Sequence, residues 1–226
     1  MTPAWTMINA LLGGTEAMRE SGDMFLPQHD EESPGNYKER LLRATLFNGF
    51  EITLDHLVGQ PFSEPMSLND DVPDQISEIA DDIDLLGSSI SAFCREWFRS
   101  GIAKAFSHVL IDFSSPTQGA DGPGNPGAPS PPRTLADDFR DKLRPFWTAV
   151  APENVICAFS QVINGVESLT HVRIRELIVE KDGFAERLVP QIRVLEPGTW
   201  AVWRQIPSGP DEGKWREEDS GTSGID

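Results

Sequence analysis

The side chains best able to do chemistry in this chain are four histidines and two cysteines, and their spacing is the first thing to weigh. His29, His56, His108 and His171 are scattered, and none forms the i, i+4 pair of an HExxH zinc helix. A nucleophile could be assembled from Cys94 or Cys157 with His108 or His171, but no local signature supports that pairing. Each cysteine lies inside an apolar pattern, which predicts a buried free thiol. His108 opens the apolar run HVLIDF (108–113) and reads as a core histidine rather than a base. The glycine pair of LLGGTEAM (11–18) lacks the Lys-Ser/Thr that completes a phosphate loop, and no serine stands in a G-x-S-x-G elbow. DDVPDQISEIADD (70–82) offers carboxylates without the central glycine and closing glutamate of a calcium loop. The residues therefore predict no catalytic, cofactor-binding or metal site, no cofactor, and no enzyme.

Charge narrows the partners. A formal net charge of -17 opposes tight binding to nucleic acid, which needs Lys and Arg to displace counterions from phosphates. It equally opposes docking on anionic membranes. It leaves room for a surface along which DNA slides, since repulsion keeps such a strand mobile. No stretch reaches the ~20 apolar residues of a membrane span. The first residues, MTPAWTMINALLGGTEAMRE, lack the basic start of a secretory signal, so an intracellular chain is expected.

The elements that would carry any site follow from periodicity. Pro3–Leu12 and a piece after Gly14 read as short helices. Ser33 is a good N-cap and Pro34 suits the first helical position. Tyr37, Leu41, Ala44, Phe47, Phe50, Leu54 and Leu57 then recur at three and four, predicting one long helix over about 34–58, closed by Gly59 in a left-handed conformation before Pro61. Ile76, Ile79, Ile83 and Leu86 predict an acidic amphipathic helix over 73–86. Ile90, Phe93, Cys94, Trp97, Phe98, Ile102 and Ala105 form a wide stripe that predicts a core-packed helix, running into a buried strand at 108–113.

Residues 114–133 are too rich in proline and glycine to pack and predict an exposed mobile loop. A short capped helix, TLADDFRDKL (134–143), follows. Strands are predicted at 146–150, 155–163, 169–179, 191–195 and 200–206, with Asn164-Gly165 as a hairpin turn. The fold class is thus α+β, N-terminal helices followed by an antiparallel β-meander of about five strands. The divisions are a mainly helical half (1–113), a loop (114–133), a short helix plus strands (134–206), and a polar C-terminal tail (207–226) anchored only by Trp215.

The order of these segments resembles the N-terminal, wing-like half of tailed-bacteriophage portal proteins, the head-to-tail connectors. The resemblance rests on GGTEAMRE (13–20), the helix exit LVGQPFSEP (57–65), FCREWFRSGIAKAFSHVLIDF (93–113), RPFWTAVAPENVI (144–156), THVRI (170–174) and RVLEPG (193–198). It spans about residues 5 to 206, and its closest likeness is to an otherwise uncharacterised portal-like family. It implies a structural virion protein at the capsid portal vertex, present in host cytoplasm during assembly. The implied partners are other copies of itself in a ring, the phage capsid, the packaging motor and head-completion proteins. DNA would pass through without tight binding, and no membrane is involved. Stem helices, clip and crown lie beyond this region in family members, so a truncated form or N-terminal part of a portal is expected. The alternatives are a non-catalytic phage adaptor or binding module, and a small Cys/His hydrolase.

Overall fold

A computed structural model describes residues 3–114, 140 and 143–222. The expected loop at 114–133, apart from Ser114, and most of the helix expected at 134–143 lie outside the described residues. The chain divides into two compact units, Pro3–Val150 and a second that begins at Ala151. The boundary thus falls at the end of a strand, not in the Pro/Gly-rich stretch. The fold class is α+β, with N-terminal helices followed by an antiparallel meander.

In the first unit, α1 (Pro3–Leu12), α4 (Gly49–Gly59) and α6 (Ile90–Lys104) pack together. Leu54, Val58 and Ala103 are buried at their meeting, with Ile8, Leu12, Phe50, Phe62 and Phe98 against them. The Trp5 indole N–H donates to the Lys104 carbonyl at 3.2 Å and joins the first helix to the end of α6.

The long helix expected over 34–58 is two helices, α3 (Pro34–Arg43) and α4, separated by non-helical residues 44–48. Ser33 caps the first as expected, accepting from the Asn36 N–H at 3.2 Å. The break has local and tertiary causes. Asn48 accepts from the Glu51 N–H at 3.1 Å while its own amide reaches the Glu51 carboxylate at 2.9 Å, a reciprocal cap that starts a new helix. Two residues of α2 (Gly14–Glu20) hold the backbone released between the helices. Thr15 Oγ1 accepts from the Leu46 N–H at 3.1 Å, and Arg19 Nε donates to the Ala44 carbonyl at 2.8 Å. Phe47, expected on the buried stripe, is 86% exposed as a result. Gly59 closes α4 without a left-handed residue.

The acidic helix is also shorter than expected. Only α5 (Asp74–Ile79) is helical. Beyond it Asp84 Oδ1 accepts from the Leu86 and Ser88 N–H groups at 2.9 and 3.0 Å, and Asp82 Oδ1 from Gly87 at 2.7 Å. Aspartate side chains that bond the nearby backbone compete with the helix in this way. Ile79 and Ile83 still reach the core beside Phe93, packed against Val109 and Trp147.

The strand β1 (His108–Phe113) pairs antiparallel with β2 (Pro145–Val150), His108 opposite Val150 and Phe113 opposite Pro145. The pair forms its own two-stranded sheet, so 146–150 is not part of the meander. Ile111 and Phe113 are exposed, contrary to the expected buried strand. Trp97 is also partly exposed, because α6 turns Phe93 and Phe98 inward to two separate clusters and leaves Trp97 between them.

In the second unit a five-stranded meander runs β3 (Val155–Ile163), β4 (Val166–Asp182), β5 (Ala185–Glu196), β6 (Thr199–Gln205) and β7 (Trp215–Thr222). Asn164 and Gly165 both have positive φ, as the tight turn between β3 and β4 requires. The last strand was expected to be tail. It pairs with β6 from Thr199–Thr222 to Gln205–Trp215, and Gly221 lets it pass the Trp200 ring, which a Cβ there would meet at 2.9 Å.

Candidate functional site

The candidate nucleophiles and bases do not converge. Cys94, on α6, is half-buried, and burial pushes its thiol above the usual cysteine value, which disfavours the thiolate a nucleophile needs. His108 packs edge-on against Phe106, ring centres 5.4 Å apart. His56 lies beside Gln60 on the exposed side of α4, and His29 sits in an exposed turn closed by Glu32. Among the described residues no group of three His, Cys, Asp or Glu side chains could hold a metal ion. No helix among them is long and apolar enough to cross a membrane.

His171 is the most organised of the four. It stands opposite Phe159 on β3, and Cys157 stands opposite Arg173 two residues along β4. Both imidazole nitrogens are engaged, Nδ1 with Glu196 Oε1 at 2.7 Å and Nε2 accepting from Arg173 Nε at 2.8 Å. The ring thereby links β4 to Glu196 at the end of β5. Cys157 and His171, one of the combinations that could have made a nucleophile, thus stand at neighbouring positions with both imidazole nitrogens already bonded.

The sheet itself is built around a different pattern. On one face, Gln191 is 5% exposed and donates to Glu176 at 2.6 Å while accepting from Arg204 at 3.0 Å. Arg193 meets Glu176 at 2.8 Å, and Arg204 reaches Glu180 at 3.1 Å and Glu218 at 3.5 Å. Arg187 and Arg216 close the two ends on Glu180 and Glu218. This network joins β4, β5, β6 and β7 over buried Ile174, Val189 and Val202. Each pair is partly solvated, so its value lies in fixing register across four strands more than in summed energy.

The ends of the meander carry the opposite character. β5 pairs with β4 only from Val172 onward, so residues 160–169 form a two-stranded overhang. β6 pairs with β5 only at Gln191–Glu196, and β3 leaves β4 at Ile174, so 177–190 overhang at the other end. The first overhang exposes Val162, Ile163, Val166 and Leu169. Register places Leu177, Val179 and Leu188 on one face of the second, each about 60% exposed, with Phe184 at its tip fully in solvent. A lone two-stranded ribbon is at best marginally stable in water, and both overhangs carry exposed apolar side chains.

Sequence reasoning missed these overhangs. The signal lay in apolar residues on both faces of 155–163, which a half-buried strand does not need. The concavities add no chemistry. One of about 600 Å³ near the start of α6 is lined by Glu64, Asp81, Ser89, Ser91 and Arg95 among apolar groups, without a histidine or cysteine. Another, of about 380 Å³, lies along Trp200 and Gly221.

No protein-family model matches this chain, and a search of curated proteins returns no match.

Proposed function

We propose that the chain is a non-catalytic structural subunit that works by assembly, a portal-type head-to-tail connector protein of a tailed phage or part of one. The observation that carries the assembly half of this reading is the pair of β-hairpin overhangs with exposed apolar side chains at 160–169 and 177–190. The connector half rests on the sequence resemblance. In this reading the protein acts at the capsid vertex, contacts its own copies, the capsid, the packaging motor and head-completion proteins, and lets DNA pass without tight binding. The negative balance fits a surface that does not retain DNA.

An adaptor reading has one observation in its favour. Asp70, Asp71, Asp74, Glu78 and Asp81 are all exposed around α5 and would meet a basic partner. The test is to tag the protein in its native genetic context, isolate whatever assembly contains it, and image it by negative stain. Rings attached to a capsid vertex support the connector. A soluble one-to-one complex with a basic protein supports the adaptor. Substrate turnover lost on Cys94→Ala or His171→Ala overturns both.

A further inference from the structure

The turn between α5 and α6 holds two leucines away from the core by force. Leu85 has φ 62°, in the left-handed region that a bulky side chain rarely enters. Such a conformation persists only where the surroundings impose it. Here Asp84 and Asp82 take up the N–H groups of Leu86, Gly87 and Ser88. The buried Ile83 donates its N–H to Ser88 and accepts from Trp147. Arg144 Nη2 holds Asp82 through its carbonyl and, at 2.6 Å, through its carboxylate. The turn is thus braced on every side, yet what it presents to solvent is apolar. Leu85 is 42% exposed and Leu86 87%. Neither belongs to the buried clusters of this unit.

The setting of these leucines is acidic. From Asp70 to Asp84 there are seven acidic residues and no basic one. Arg144 compensates Asp82, while Asp70, Asp71, Asp74, Glu78 and Asp81 stand exposed.

We propose that Leu85 and Leu86 are the apolar anchor of a docking site for a basic amphipathic helix of a partner protein. The leucines meet the apolar face of that helix, and Lys and Arg along its flanks meet the exposed carboxylates. Charge selects the occupant. A second copy of the chain, at -17, brings like charge to this face, and so does nucleic acid or an anionic membrane. A basic helix brings opposite charge together with the apolar surface that Leu86 lacks. The bracing has a use in this light, since a loop already fixed in its bound form loses little freedom on binding.

The inference rests on the adaptor reading, whose acidic face it supplies with an anchor, and it uses neither sheet overhang. The experiment takes the full chain and two synthetic peptides of equal charge, a leucine–lysine amphipathic helix and a serine–lysine peptide. Fluorescence anisotropy at physiological salt gives their affinities. Leu86→Ser and Val162→Ser both alter largely exposed side chains, so folding is retained and circular dichroism checks it. The leucine–lysine peptide is expected to bind about tenfold more tightly than the serine–lysine peptide, the scale set by burying one leucine. Leu86→Ser should remove that advantage, and Val162→Ser, on the first overhang, should leave it unchanged. Equal affinity for the two peptides overturns the anchor and leaves the adaptor reading standing, whereas no binding of either overturns both. An advantage that survives Leu86→Ser, or that Val162→Ser abolishes, also overturns the proposal.

Discussion

Replacing Ile83 by alanine tests the packing of the first unit more sharply than any change on a helix. Ile83 lies in the irregular turn after α5, yet it is 1% exposed and packs in the cluster of Ile79 and Phe93. Its backbone is pinned as well, its N–H donating to the Ser88 carbonyl and its carbonyl accepting from the Trp147 N–H, both at 2.9 Å. Alanine keeps those bonds and removes three carbons, worth about 0.8 kcal/mol each by transfer. The Phe93 and Trp147 rings, 5.6 Å apart and edge to face, are held from both sides and have little freedom to fill the space. A cavity contribution therefore adds to the transfer loss, and the expected cost is about 3–4 kcal/mol. Trp97→Ala is the control. Its side chain is 37% exposed and its carbonyl bond to Ser107 is kept on truncation, so about 2 kcal/mol is expected, less than for Ile83 because much of the ring already meets water. Urea melts followed by helical circular dichroism measure both. A larger loss for Trp97 than for Ile83 would refute this packing and restore the core stripe that helical spacing alone predicts.

Three further outcomes follow from particular contacts. Gln191→Ala breaks the bridge between Glu176 and Arg204 and should cost about 2 kcal/mol, the scale of hydrogen bonds to charged groups, while Gln191→Glu should leave two carboxylates facing each other and cost more; denaturant melts decide. Gly221→Val places a side chain where a Cβ already meets Trp200 at 2.9 Å, so about 1–3 kcal/mol should be lost with a shift in tryptophan emission, and an unchanged melt would contradict the close approach. The Arg40 guanidinium holds the Glu32 carboxyl below its usual 4.5, partly offset by burial. A lowered folded value means this contribution is present above pH 4.5 and is lost as pH falls through the folded value. Carbon-detected NMR titration should find the midpoint lowered, and Arg40→Gln should return it towards the usual value.

The meander was legible because its signals are local. Asn164-Gly165 marks a turn that few other residues allow, and β3 was read to its observed ends, 155–163. The strand at 146–150 was found but given the wrong partner, since pairing with β1 depends on contacts distant in sequence. The broken helix was missed because Asn48 and Glu51, which restart it, sit inside an unbroken apolar period, while Thr15 and Arg19 act from another helix. β7 was missed because WREEDSGT exposes nearly every side chain, so no apolar alternation betrays it. Of the candidate residues, the sequence placed Cys157 and His171 on neighbouring strands, but not the Glu196 and Arg173 bonds that occupy the imidazole. Such bonds depend on register, which the residue pattern alone leaves open.

In the proposed reading, other protein covers the sheet overhangs at 160–169 and 177–190. Hydrogen exchange on the chain alone and on the assembly isolated from its native context decides it. Fast exchange is expected at 160–169 and 177–190 in the isolated chain, with strong protection of both in the assembly and Ile174 and Val202 protected in each state. Equal exchange of both overhangs in the two states, with new protection confined to the helical unit, would contradict it.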